Sequence, residues 1–273
     1  METISAHGVP DPPALVSHAG PAVLLVVFGV PAAAALVYGA IIAVRRRDPL
    51  PVAACLGALL CALNEPIFDV LGKIVYAQNH PVAFTAMGRS TPWFLVIGYV
   101  PWVGLLPYVI ARGMATGWSR TRLYLIAASG VASVVGVELI NLWLRAWEYY
   151  GEAPLKYFGG VAAMAAVPLA GGYLIYAMAD HLRGVSRAVA GFLIPTMVLP
   201  MIFAATGWPL YIALYSNVGG LGDWLAIAML CVLTVAAVIA TTEMAHRTGA
   251  AESTRLNAPT AGRTSEDAIL PAP

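Results

Sequence analysis

The sequence predicts an all-α polytopic membrane protein: a bundle of seven transmembrane helices, with the N-terminus outside and the C-terminus in the cytoplasm. Three observations carry that expectation. Hydrophobic residues make up 60% of the 273 residues and charged residues only 11%, and the mean hydropathy is +0.78, far from the averages of a soluble domain. Apolar windows long enough to cross a bilayer recur seven times along the chain. Basic residues collect in alternate connections. A formal net charge of +1, without a basic stripe or a recognition motif, argues against a nucleic-acid partner. The expected partners are membrane lipids and a hydrophobic small molecule, and the oligomeric state is not legible.

Taken in order, residues 1–20 lack a positive n-region and carry Glu2 and Asp11, so they read as a short extracytoplasmic tail rather than a cleaved signal. The transmembrane domain spans 21–247, with helices expected at 21–44, 50–77, 92–112, 122–147, 156–180, 187–206 and 210–243. The opening of the last, "YIALYSNVGGLGDW", reads as an interfacial loop leading into a helix that starts near Gly222. Arg45, Arg46 and Arg47, then Arg112, Arg120 and Arg122, then Arg183, Arg187 and Arg247 all fall on one side, which is therefore cytoplasmic. Residues 248–273, rich in Ala, Thr, Ser and Pro, cannot bury a core and read as a disordered cytoplasmic tail. Cys55, Cys61 and Cys231 lie in apolar runs without metal or disulfide spacing and read as small buried hydrophobes.

Within this apolar chain the ionisable residues stand out. Glu65, Asp69 and Lys73 follow at i, i+4 and i+8, with Tyr76 a further turn along, so a continuous helix would place them on one face. Pro66 removes a backbone hydrogen bond beside Glu65 and predicts a kink there. In the fourth helix Glu138, Asn141, Arg145 and Glu148 make a second such stripe. At 1.5 Å per residue, Glu65 and Glu138 lie about 22 Å and about 24 Å from the cytoplasmic ends of their helices, at similar depth in the outer half of the bilayer. A charge at that depth costs about 2.5 to 3.5 kcal/mol on insertion scales, so it faces the bundle interior and takes a partner. Lys73 and Arg145 are the expected partners. The structural alternative is that Asp69 with Lys73, and Asn141 with Arg145, only pin helix 2 to helix 4. An aromatic belt explains Tyr149 and Tyr150 as well as a substrate pocket does, and Asp223 reads equally as a helix-start residue or as part of the site.

Several chemistries are set aside. The only lysines are Lys73 and Lys156, neither on the last helix, which excludes a retinal Schiff base. The histidines fall in tails, loops or helix ends, so no metal or haem site is expected. There is no P-loop, dinucleotide turn or nucleophile elbow, and no cofactor is expected.

The stretches "EPIFDVLGKIVYA", "FTAMGRSTPWFLVIGYVPWVG" and "VELINLWLRAWEYYGEAPLKYFG" resemble, in order and spacing, the spirocyclase AveC-like family of actinobacterial membrane proteins, over roughly residues 60 to 180. The matching positions are Glu65, Pro66 and Asp69, then Phe84, Gly88, Arg89, Pro92 and Phe94, then Tyr149, Tyr150, Gly151, Pro154 and Lys156. That family is associated with spiroketal closure and dehydration of a polyketide in macrolide biosynthesis. The resemblance implies an acid/base cyclase or dehydratase that acts on a hydrophobic polyketide- or isoprenoid-type substrate.

Such chemistry needs a proton donor, an acceptor and a stabilising anion, and no cofactor. The expected roles are Glu65 as proton donor and Asp69 as its ionised partner, with the parts of Glu65 and Glu138 interchangeable. Glu138 and Asn141 would orient the substrate, and Arg89, Tyr149 and Tyr150 would close the outer mouth. A membrane terpene or meroterpenoid cyclase is the alternative enzyme, with Trp143, Trp147, Tyr149 and Trp208 as candidate walls for a carbocation. A transporter, a lipid-binding protein and a scaffold for a biosynthetic complex are the non-enzymatic alternatives.

Overall fold

The computed structural model describes residues 12–150, 159–179, 181–216 and 218–257. Six helical stretches are long and apolar enough to cross a membrane: Pro21–Arg46, Leu50–Leu71, Trp93–Ala115, Arg120–Leu144, Gly184–Tyr215 and Gly219–Gly249. A shorter apolar helix covers Ala165–Ala179. The chain is a multi-pass helical membrane protein. Its outward surface agrees with that: Val26, Val30, Leu139, Leu142 and Trp143 are all more than half exposed, a surface suited to hydrocarbon rather than water.

The first helix, α1 (Pro21–Arg46), starts on Pro21 and ends with Arg45 and Arg46 in its last turn, where cations complement the helix dipole. The second crossing is broken. α2 (Leu50–Cys61) passes through a tight 3-10 turn, Ala62–Asn64, into α3 (Glu65–Leu71), because Pro66 cannot donate to the carbonyl one turn before it. The third crossing joins α4 (Trp93–Tyr99) to α5 (Leu106–Ala115) through a π-helical stretch, Val100–Leu105, that contains Pro101. α6 (Arg120–Leu144) is continuous, with Ser119 capping its N-terminus. α7 (Gly159–Leu174) runs on into a π-helical Ile175–Ala179. α8 (Gly184–Tyr215) and α9 (Gly219–Asn257) complete the bundle.

Helix packing at the centre depends on one missing side chain. A Cβ added at Gly57 would stand 2.0 Å from the carbonyl oxygen of Phe192, so only glycine lets α2 and α8 approach this closely. One turn from Phe192, Thr196 Oγ1 lies 3.1 Å from the Gly57 carbonyl oxygen and 2.9 Å from that of Phe192, tying the two helices with a polar contact.

One end of the bundle carries a cap that periodicity did not foretell. β1 (Ile74–Tyr76) pairs antiparallel with β4 (Trp147–Tyr149), Val75 opposite Glu148. β2 (Val82–Ala86) and β3 (Arg89–Pro92) form a hairpin whose turn residues Met87 and Gly88 both have positive φ, 54° and 71°, the twist that suits a two-residue turn. Residues 15–18 tie the chain after β1 to the end of α6. The Gln78 N–H donates to the Leu15 carbonyl and the His18 N–H to that of Leu144, both at 2.8 Å, while the Ser17 N–H donates to Asn79 Oδ1 at 2.9 Å.

This cap corrects two expected helices. The second helix does not reach residue 77, because the chain leaves the helix at Gly72 and Lys73 turns left-handed at φ 51°. The fourth ends at Leu144 on a left-handed Arg145, φ 52°. Both polar stripes therefore stop short: Tyr76 and Glu148 lie on strands. A third correction concerns the last two helices. Where a loop was expected after residue 206, α8 continues to Tyr215 with Pro195, Pro200 and Pro209 inside it. Membrane helices tolerate proline when neighbours satisfy the freed groups, and Gly207 makes room for the Tyr211 ring, 2.9 Å from where a Cβ would sit. α9 runs past Arg247 to Asn257, and the rest of the expected tail lies outside the described residues, as do residues 1–11. Cys55 and Cys61 are buried, but Cys231 is exposed on the outward face of α9 rather than buried.

The opposite end of the bundle is rich in arginine. Arg187 Nε lies 2.9 Å from Asp48 and its guanidinium also donates to the Ala179 carbonyl. Arg120 lies 2.7 Å from Glu243, and the Arg122 guanidinium sits 3.9 Å over the Trp118 ring.

Candidate active site

Strand alternation builds the roof of a cavity. In the register of β1 and β4, Ile74 faces Tyr149 and Tyr76 faces Trp147, and with a period of two these four side chains share one face. All four line the same cavity, of about 250 Å³, near the lower end of small-molecule sites. The alternate residue Val75 turns the other way into a small cluster with Leu15, Ala77 and Tyr150. The walls come from α1, α3, α4, the π-helical stretch, α6 and α8. Ten of the nineteen described lining residues are aromatic, and two, Glu65 and Glu138, are acidic.

Glu65 opens α3, only 5% exposed. Its Oε1 accepts from the Tyr76 hydroxyl at 2.6 Å, and its Oε2 accepts from the Tyr99 hydroxyl. Both acceptors are thus held by phenols, one from β1 and one from the last residue of α4. Tyr99 in turn stacks on Trp102, ring centres 5.7 Å apart, which fixes the direction of its hydroxyl. Glu138, half-buried on α6, is held likewise from β4. Its Oε1 accepts from the Tyr149 hydroxyl at 2.7 Å, and the Trp147 Nε1–H lies 3.2 Å from Oε2 and 3.3 Å from Oε1. Burial keeps the Tyr76 hydroxyl far above the ordinary phenol range, and the nearby Glu65 adds to the effect. Burial and then Glu138 do the same for Tyr149. Each phenol therefore keeps its proton and acts as a donor.

The expected partners are not where the helical stripes put them. The Lys73 ammonium lies over the Tyr215 ring, 5.1 Å from its centre, instead of pairing with Asp69 or Glu65. Arg145 pairs with Glu148 at 3.1 Å on the surface, their side chains 49% and 43% exposed, and takes no part in holding Glu138. Asn141, expected to orient the substrate, is not among the described lining residues, and its amide is engaged by the backbone. Its Oδ1 accepts from the N–H of Ala146 at 2.9 Å and of Trp147 at 3.3 Å, and its amide donates to the Trp147 carbonyl at 2.8 Å. It is the fold's device for turning the end of α6 into β4.

Asp69 lies one turn beyond Glu65, 1% exposed. Its two carboxylate oxygens have no hydrogen-bond partner among the described residues. Arg89, 4% exposed on β3, donates to the Tyr150 hydroxyl, its guanidinium 5.6 Å from the centre of that ring. Of the residues expected at the site, the cavity wall contains Glu65, Glu138 and Tyr149. Asp69, Arg89 and Tyr150 are buried but are not among the described lining residues. Asp223 lies half-buried in α9 and is not among the described lining residues. Gly151, Pro154 and Lys156 lie outside the described residues.

The residues that periodicity overlooked are mostly aromatic. Phe94, Gly98 and Trp102 recur at i, i+4 and i+8, with Leu95 and Tyr99 beside them, and all five line the cavity; that stripe is visible in the sequence. Phe28, Phe68, Phe203 and Tyr211 reach the same wall from three other helices, which no local pattern announces. Trp143 and Trp208, candidates for such a wall, instead point outward, 76% and 45% exposed.

Comparison of the chain with family models, with curated proteins and with solved structures finds no match in any of the three.

Proposed function

We propose that this protein is a cofactor-independent acid/base cyclase or dehydratase that works on a hydrophobic, polyketide- or isoprenoid-type substrate within the membrane. The observation that carries the reading is the pair of carboxylates on separate helices, Glu65 and Glu138, lining one aromatic cavity and each held by phenol or indole donors instead of cations. In a ring closure with loss of water, an acid protonates a departing hydroxyl, the C–O bond breaks, and an oxocarbenium-like centre forms. A second substrate hydroxyl adds to that centre and gives up its proton to a base. Glu65, with Tyr76 and Tyr99 attached, handles the proton. Glu138 accepts at the other step, and the rings around both lower the energy of the cationic stage. Asp69, buried one turn along α3 from Glu65, acts through it as a positioning charge with Arg89. The resemblance to the spirocyclase AveC-like family points to the same reaction class. The arginine-rich end lies in the cytoplasm of a bacterial cell and the cavity in the outer half of its cytoplasmic membrane.

A membrane terpene or meroterpenoid cyclase is the second reading, favoured by the aromatic majority of the wall. It differs in protonating an alkene or epoxide instead of expelling water.

The test compares organic-soluble metabolites of a deletion strain complemented with wild type, Glu65→Gln or Glu138→Gln at matched membrane levels. A precursor that accumulates in the deletion and in the variants, and differs from the product by ring closure, supports catalysis. Loss of water in the same step selects the dehydrative reading, and an isomer selects the terpene-type one. If both variants restore the wild-type profile, the carboxylates are structural and the proposal fails.

A further inference from the structure

Within the cavity, charge and ring chemistry point to the sign of the ligand as well as to its apolar character. Glu65 and Glu138 are its ionisable acids, and no Lys, Arg or His is among the described lining residues. The arginine and lysine nearest in sequence are engaged elsewhere, Arg145 with Glu148 and Lys73 at the Tyr215 ring. The rings of Phe68, Phe94, Trp102, Trp147 and Phe203 present π faces or edges to the same space. Two carboxyl groups and an aromatic enclosure, with no cation among the described lining residues, make a site complementary to a positive charge carried on an apolar frame. The same walls offer an anionic ligand acidic groups and, among the described lining residues, no cation to pair with it.

We propose that this cavity is a receptor for lipophilic cations, and that alkylammonium or arylalkylammonium compounds bind it as stable counterparts of a cationic stage of the substrate. The identification of those compounds as reaction-stage mimics rests on the cyclase reading above; the cation preference itself rests only on the composition of the wall. A quaternary ammonium suits the site better than a primary amine, because it spreads its charge over methyl groups that pack against rings and asks for no hydrogen bonds. The carboxylate acceptors that a primary ammonium would need are already engaged: those of Glu65 by the hydroxyls of Tyr76 and Tyr99, and Oε1 of Glu138 by that of Tyr149.

The experiment uses the full chain purified in detergent and two probes of one shape, benzyltrimethylammonium and its uncharged carbon counterpart neopentylbenzene. Binding is followed by tryptophan emission, since Trp102 and Trp147 stand on the wall, and by the rise in Tm, with each concentration corrected for uptake into micelles. The expected result is about tenfold tighter binding of the ammonium than of the carbon counterpart, a margin that one or two desolvated cation–π contacts supply. Glu65→Gln and Glu138→Gln should each erase most of that preference. Equal binding of the two probes to the wild-type protein overturns the proposal, and so does a charge preference that survives both substitutions. Should either variant fail to fold, the wild-type comparison decides alone. A cation preference together with unchanged metabolites upholds this inference and removes the cyclase reading. Changed metabolites without a cation preference do the reverse.

Discussion

Asp48, at the arginine-rich end of the bundle, is held by Arg187 at 2.9 Å, whereas Glu65, toward the capped end, is held by the hydroxyls of Tyr76 and Tyr99. Both are carboxylates in a largely apolar chain, and their partners set their uses. A guanidinium cancels the charge where it stands and locks two helix ends together; it leaves little for a ligand to feel. Phenols satisfy the carboxylate's lone pairs while leaving its charge uncancelled, and they bring protons that can move. The Asp48 pair borders no large cavity among those described, while Glu65 borders an aromatic one of about 250 Å³. The contrast separates a staple between helix ends from a carboxylate that faces a cavity.

Substitutions can break the contrast or sharpen it. The largest expected effect is on turnover. Glu65→Gln keeps the shape and removes the charge and the proton site, and should lower product formation about 10²- to 10⁴-fold, read from metabolites at matched membrane levels. A variant as active as wild type would put Glu65 in the same class as Asp48.

Asn141→Ala comes next and acts on stability. It strands the Ala146 and Trp147 N–H groups at the end of α6, and each buried donor left unpaired costs about 1 to 3 kcal/mol. A clear fall in Tm is expected, together with loss of the β1–β4 roof, which limited proteolysis between α6 and α7 should report.

Arg187→Met should cost about 2 kcal/mol, less than a fully buried pair would, because both side chains keep some exposure. Its pH dependence identifies the cause. Burial pushes the Asp48 carboxyl up, but the Arg187 hydrogen bond and the Leu50 N–H outweigh it, and the net position is below the usual carboxylate range. A carboxyl lowered on folding adds stability above its unfolded value of about 4, and that stability is lost as pH falls further, through the folded value. The Tm gap between wild type and Arg187→Met should therefore be full near neutral pH and shrink in acid below about pH 4. A gap independent of pH would mean that lost packing, not charge, accounts for it.

Tyr99→Phe is smaller: it leaves the ring on Trp102 and removes one of the two donors to Glu65. Turnover should fall about tenfold while Tm stays close to wild type, the signature of a positioning residue. At the bottom of the scale, Glu243→Gln breaks an exposed pair with Arg120 and should leave Tm unchanged within error in differential scanning fluorimetry.

Much of the fold was legible because hydrophobic length is a local property. Apolar runs and proline positions located the six long helices described here, and the kink beside Pro66 appears as the turn Ala62–Asn64. Helix ends were read less well. A helical period carried Lys73 and Tyr76 onward from Asp69, and Arg145 and Glu148 onward from Asn141, since a side-chain pattern continues on paper wherever spacing allows. The chain stops each helix with a left-handed residue instead, and the partner that makes stopping favourable is distant: β1 needs β4, more than seventy residues later in the chain. The break expected after residue 206 erred in the other direction, since α8 runs on to Tyr215 with Pro209 inside it.

For the site, the sequence by itself determined that acids lie within apolar segments, that Glu65 sits beside a bend and that Glu138 lies at comparable depth, because each depends only on residue type and on distance along a helix. Which acids share a cavity, and what holds them, was decided by tertiary structure. Tyr76, Tyr99, and Trp147 with Tyr149 reach Glu65 and Glu138 from three separate stretches, β1, α4 and β4. Hydrogen bonds between segments far apart in the chain depend on strand register and helix rotation, and no spacing within one segment encodes either.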